Sequence, residues 1–203
     1  MSDDVKALPW RHISQSSNAA LRYIDGRRKG DIKSLTTPWK KFNTISMGGI
    51  EWQTITTIAG MSGSGKTAVL GQLETGLKDL NPDEDFAILS FNFEMLSSRL
   101  VARKLSNKMK ITTQQLYSAS ETFSLNDNYY MNAVKEARKL NEYDIYYVDV
   151  PGSVKSLEAT VLKFSKEMSK PVVVMLDHTL LVKKAGGAQD RDLLYDLMAM
   201  FNG

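Results

Sequence analysis

The chain has no cysteine, which excludes disulfides, thiolate zinc sites and cysteine nucleophiles and fits a reducing compartment. Histidine is nearly as scarce. His12 and His178 are the only two and lie far apart in sequence, so a histidine-based metal cluster has no material to form from. No apolar run approaches the roughly 18 residues needed to cross a bilayer. The opening MSDDVKALPWRH also lacks the basic-then-apolar order of a signal peptide. Charge of one sign is missing too: 26 Lys and Arg against 23 Asp and Glu leave +3, too little to imply a nucleic acid by itself. Internal repeats and low-complexity tracts are absent. What is present is 203 residues with 42% hydrophobic and 24% charged side chains, enough for one domain with a real core and inconsistent with disorder over most of the length. A soluble intracellular domain is expected, with no membrane partner.

The first 31 residues are polar and carry Arg22, Arg27, Arg28 and Lys29. Ala19, Ala20, Tyr23 and Ile24 form one apolar stripe of a short helix that Gly26 or Gly30 would end. This stretch reads as an arm or linker, or else as a frayed terminus. The basic cluster 27–29 reads as a solvated or subunit-contacting face. After Gly48-Gly49, residues 54–59 (TITTIA) are β-branched and predict a strand. The pattern then alternates. Helices are predicted over 66–78, 96–105, 128–140, 154–168 and 190–201, and strands over 86–91, 145–148 and 172–176. In the helix over 154–168, Leu157, Val161, Leu162 and Phe164 are the expected inward residues. Strands alternating with helices imply a mainly parallel sheet covered on both faces, with ligands at the strand C-termini.

One motif carries chemistry without a departure. Gly60-Met61-Ser62-Gly63-Ser64-Gly65-Lys66-Thr67 fits G-x-x-x-x-G-K-[ST] and opens a helix that continues through Ala68. Its glycines let backbone amides wrap phosphates, and the helix turns its positive end to the same anion. Lys66 supplies a point charge for the outer phosphates, and the Thr67 hydroxyl is a Mg²⁺ ligand. ATP and Mg²⁺ are therefore the expected cofactors. Asp177 closes the apolar run VVVML and is the candidate for a second Mg²⁺ contact, or is simply a strand-ending aspartate in a turn. Glu94, just beyond the strand FAILSF, either orients the attacking water or is a solvated glutamate that a helix dipole favours. Lys183, Lys184, Gly186 and Gly187 form a basic, glycine-containing loop that would suit single-stranded nucleic acid, or is an ordinary connector. The 10 methionines point to adaptable packing.

The Walker loop, the FNFEM segment at 91–95 and the strand VVVMLDH at 172–178 together resemble the ATPase domain of DnaB-type ring helicases, which are RecA-like P-loop NTPases. The upstream stretch GDIKSLTTPWKKFN at 30–43 and the Gly48-Gly49 turn resemble the family's lead into its first strand. Asp177-His178 followed by DRDLLYDLM at 190–198 is most like phage replicative helicases and primase-helicases. The likeness covers about 30–201. It implies that Glu94 is the catalytic base, with Arg99 and Arg103 where the family has an arginine. Thr37-Pro38 departs from the family's Thr-Gly. The γ-phosphate sensor strand, the arginine finger and a main DNA-binding loop of the family would lie beyond Gly203, so a fragment lacking its C-terminal strands is expected.

The expectation is thus a linker arm over 1–31 and a RecA-like ATPase domain over 32–203. The chain would couple ATP hydrolysis to translocation on single-stranded DNA during replication. It would work as a homo-oligomeric ring, expected to be a hexamer, in contact with primase and other replisome proteins in the cytoplasm (the host's if phage-encoded). Catalysis would rest on Glu94 and Lys66, with the loop 60–68 on the nucleotide and an arginine finger from the neighbour. The alternatives are a recombinase- or clock-type RecA relative that assembles without unwinding, and an ATP-binding assembly module that does not hydrolyse. A small-molecule kinase ranks last, because no arginine-rich lid is present.

Overall fold

Two stretches of chain fold as separate units, one ending at Thr54 and the other beginning at Ile55, in the computed structural model, which describes residues 9–177, 179–183 and 190–202. The first unit opens with helix α1, Ile13–Lys29. His12 starts it: its Nδ1 accepts the Ser14 amide at 3.2 Å, while Gln15 Oε1 accepts the His12 amide at 3.2 Å. Gly30, at φ 79°, ends the helix in the left-handed conformation. Of the two glycines expected to end it, Gly30 does and Gly26 does not, and the helix starts at Ile13, ahead of the apolar stripe at 19–24. At Gly26 a β-carbon would lie 2.8 Å from Ile32 Cδ1, so this glycine serves close packing.

After α1 come strand β1 (Ser34–Leu35), helix α2 (Lys40–Ile45) and strand β2 (Ile50–Glu51), with β1 and β2 antiparallel. None of these short elements is visible in the hydrophobic period. Gly49 sits at φ 130°, and a β-carbon there would fall 2.1 Å from the Leu35 carbonyl oxygen, so only glycine fits. Arg27 fastens the unit: it donates to Ser34 Oγ at 3.0 Å and to the Met47 carbonyl. Arg28 and Lys29 both pair with Asp25. The basic cluster is therefore not one solvated face; Arg27 is an internal tie.

The second unit holds the parallel sheet. Helix α3 is Lys66–Leu80, strand β3 Ala87–Asn92, helix α4 Ser97–Met109, helix α5 Thr113–Leu116 and helix α6 Asp127–Leu140. Strand β4 (Ile145–Val148), helix α7 (Val154–Met168), strand β5 (Val172–Asp177), a 3₁₀ turn (Thr179–Leu181) and helix α8 (Asp190–Asn202) complete it. The strand order is β4-β3-β5, all parallel. β3 is buried along its whole length. Its side chains alternate with the strand period of two. Leu89 and Phe91 join Leu157 of α7, Leu193 and Leu197 of α8, and Val182 in the main core. Ser90 and Asn92 face the other way.

Two expectations fail here. Residues 54–59 form no strand, and all six are exposed. β3 already has β4 on one side and β5 on the other, and no described strand pairs with 54–59. β-branched composition measures fit to a half-buried pleat, and without a ladder partner it yields no strand. Leu162 is 65% exposed, whereas Leu157, Val161 and Phe164 do pack inward. It falls outside the stripe set by its neighbours. No helix among the described residues is long and apolar enough to cross a membrane.

Candidate functional site

The loop 60–65 is exposed and shaped by glycine. Gly63 and Gly65 take φ of 77° and 91°, which a side chain would resist by about 1–2 kcal/mol. At Gly60 a β-carbon would fall 2.5 Å from Ser64 Oγ. Gly65 is also the N-cap of α3, and no side chain caps the helix. The first-turn amides of α3 therefore keep free hydrogen-bonding capacity at the positive end of the helix, the arrangement an anion requires. Lys66 folds back over the loop, its Nζ donating to the Gly60 carbonyl at 2.9 Å and to the Met61 carbonyl at 3.0 Å. Met61, Ser62 and Ser64 line the exposed curve, and Ala68 lies on the exposed side of the first turn.

The C-terminal edge of the sheet gathers acids. β5 ends at Asp177, β4 is followed by Asp149, and Glu94 lies two residues past β3. Asn92 and Asp177 are register partners, and the Phe93 amide donates to the Asp177 carbonyl at 3.0 Å. The Asp177 side chain is 7% exposed and has no hydrogen-bond or ion-pair partner among the described residues. A buried carboxylate in that condition needs a cation or water. It lines the same crevice as Thr67. A hydroxyl beside an open carboxylate fits Mg²⁺, which takes few protein ligands and fills its shell with water and phosphate oxygens. No cluster of three or more His, Cys, Asp or Glu residues forms a metal cage among the described residues.

Glu94 is exposed in the bend between β3 and α4. Asp149 holds that bend from the far side. It accepts the Ser97 amide at 3.0 Å and the Ser97 hydroxyl at 2.7 Å, and so caps α4, whose own N-cap Leu96 makes no side-chain bond. Asp149→Ala is expected to cost about 1 kcal/mol of stability, as the loss of a cap usually does, read as a lower urea midpoint with an unchanged slope. Lys183 is exposed, with its amide on the Gly152 carbonyl at 2.9 Å, beside the end of β4. Lys184, Gly186 and Gly187, like His178, lie outside the described residues.

Beneath the loop lies a polar cluster that the sequence reading missed. Glu74 of α3 is 2% exposed and Lys104 of α4 is 8% exposed. They form an ion pair at 2.5 Å. The Glu74 carboxylate also accepts the Ser90 hydroxyl at 2.6 Å and the Tyr147 hydroxyl at 3.1 Å. Asn92 Nδ2 in turn donates to Ser90 Oγ at 3.2 Å. Burial, and then the adjacent Glu74 charge, push the Tyr147 hydroxyl well above its ordinary pKa, so it stays a donor. The signal was there to find. Leu70, Leu73, Glu74 and Leu77 make one helical stripe with a carboxylate in it, and Ser90 and Asn92 interrupt an apolar strand.

A glycine-shaped loop at an uncapped helix start, a buried strand-end aspartate lining the same crevice as Thr67 and a glutamate past the central strand are groups that could hold an anion and a divalent cation. The sequence profile of the DnaB-like helicase C terminal domain matches residues 34–194, four-fifths of the chain. The chain belongs to the DnaB-like helicase C-terminal domain family. Two solved structures share the fold. The ATPase domain of a phage helicase superposes with a TM-score of 0.72 at 18% identity, covering 91% of this chain and 66% of that one. A DnaB-like replicative helicase, solved for its interactions with primase, gives 0.72 at 17% identity, covering 100% of this chain and 47% of that one. The chain thus has the RecA-like α/β fold, and it spans less than two thirds of either neighbour. No protein of curated function matches its sequence.

Proposed function

We propose that this chain is the ATP-driven motor domain of a replicative ring helicase, coupling hydrolysis to movement on single-stranded DNA. One observation carries the reading. In a chain of this family, the uncapped start of α3 and its folded-back lysine adjoin a crevice shared by Thr67 and the buried Asp177, whose side chain has no partner among the described residues. The amides of 60–68 would hold the triphosphate, and Lys66 would move from the loop carbonyls to the outer phosphates. Thr67 and Asp177 would hold Mg²⁺, which when bound neutralises phosphate charge. Glu94 would orient the attacking water and take its proton.

The remainder extends the same reading. Residues 1–31 form a linker arm that docks on an adjacent subunit, and 32–203 form the ATPase domain. The subunits close a ring, a hexamer, in which a neighbour supplies the arginine finger. Lys183, with Lys184, Gly186 and Gly187, faces the DNA. Primase is a partner, a phage is the source and the host cytoplasm is the location. The test is steady-state ATP turnover by the purified protein with and without single-stranded DNA, alongside the mass of the assembly in ATP and Mg²⁺. Glu94→Gln is expected to lower turnover by about 10² to 10⁴-fold while nucleotide binding persists. Unchanged turnover in that variant overturns the assignment of the base.

A further inference from the structure

We propose that Glu74 and Lys104 are positioning residues for phosphoryl transfer, their buried ion pair setting the Thr67 end of α3 against the segment that carries Glu94. The inference rests on the motor reading given above. Stability alone is a poor account of the pair. Taking two charges out of water costs several kcal/mol each, and apolar residues of similar volume are often at least as stable in such a place. Location gives a better account. Thr67, Gly71 and Glu74 descend α3 at helical spacing and line one crevice with Asn92, Lys104 and Asp177.

From Glu74 the bonds run outward to three elements around Glu94, β3, α4 and β4. Ser90 and Asn92 lead along β3 to a point two residues before Glu94. Lys104 belongs to α4, the helix that starts three residues after Glu94. Tyr147 belongs to β4, whose following residue Asp149 caps α4 at Ser97. Asn92 is also the register partner of Asp177. One carboxylate therefore fixes the helix behind the phosphate loop to the strand before Glu94, the helix after it and the strand beside it. Misplacing a reacting group by about 1 Å can cost on the order of 100-fold in rate. A shared anchor of this kind acts on kcat without touching the nucleotide.

The discriminating variant is Glu74→Gln with Lys104→Met, which removes both charges yet keeps a polar group at each terminus, an amide oxygen to accept the Ser90 hydroxyl and an amide NH₂ to donate to the Tyr147 hydroxyl oxygen. Lys104→Arg is the second variant: it keeps the charge and changes the fork geometry. Each is measured in the intact protein for kcat, KM for ATP and melting temperature, with Glu94→Gln as the reference. The expected result is a kcat lower by about 10- to 100-fold, with KM within about twofold of the parent in a protein that still melts cooperatively. Parental kcat in either folded variant, with Glu94→Gln inactive, overturns this inference and leaves the motor reading in place. Parental turnover in Glu94→Gln itself overturns the reading of the base, and the positioning role falls with it.

Discussion

Lys66→Ala is expected to reduce ATP turnover by about 100- to 1,000-fold while leaving the melting temperature within about 1 °C of the parent. The two halves of that expectation have separate physical origins. A cation aimed at charge developing on a transferring phosphoryl group stabilises the transition state, and losing one such donor in a preorganised site costs about that much rate. The folded state loses little. Among the described residues the Lys66 ammonium donates to two carbonyls of an exposed loop, Gly60 and Met61, which water can satisfy in its absence. Surface changes of that kind fall within about 0.5 kcal/mol. The measurement pairs steady-state turnover with a thermal melt. A large drop in melting temperature would mean that the lysine holds the loop together, and undiminished turnover would remove it from the chemistry.

The second large effect runs the other way, on stability first. Lys104→Ala is expected to destabilise the fold by about 3–5 kcal/mol, because it leaves the Glu74 carboxylate buried and without its cation. For a chain of this size that corresponds to a fall of roughly 6–20 °C in melting temperature. Ser90 and Tyr147 still donate to Glu74, but two neutral hydroxyls cannot replace an ammonium at 2.5 Å. Exposed pairs give a control. Lys163 and Glu167 lie on the outer face of α7, with the lysine side chain 77% exposed, and Lys163→Ala should change stability by less than about 0.5 kcal/mol. Equal melting temperatures for Lys104→Ala and the parent would show that the pair is dispensable to the fold.

Much of the fold could be read from periodicity. The spans predicted for β4 and α7 are those observed, and β3, β5, α3 and α8 differ at their ends by one or two residues. The loop and the helix start at 60–67 were legible because the pattern that shapes them is local: glycines, a lysine and a hydroxyl within eight consecutive residues. What stayed hidden depends on partners distant in sequence. TITTIA has the composition of a strand, but composition does not supply the neighbour that would complete a ladder. Arg27 looks like a surface charge until Ser34 and Met47 are seen around it. Glu74 and Lys104 are 30 residues apart, and each alone looks like a charge that must reach solvent. Only the packing of α3 on α4 shows that they meet in the interior. Asp149 belongs to the same class, since its value as a helix cap appears only when β4 is laid beside β3.

β3 has a consequence for how such a chain can drift. Leu89 and Phe91 feed the apolar core, and the alternate residues Ser90 and Asn92 feed the polar cluster. Inserting one residue between Ala87 and Leu89 would exchange the two faces of the strand that follows. Leucine and phenylalanine would meet the Glu74 carboxylate, and serine and asparagine would enter the core. It would also slide Asn92 off its register with Asp177. Such a chain can lengthen the exposed turn at 117–125 without that exchange. Insertions and deletions in its descendants should therefore collect in such turns and leave the length of β3 unchanged, even where most of the side chains in between have been replaced.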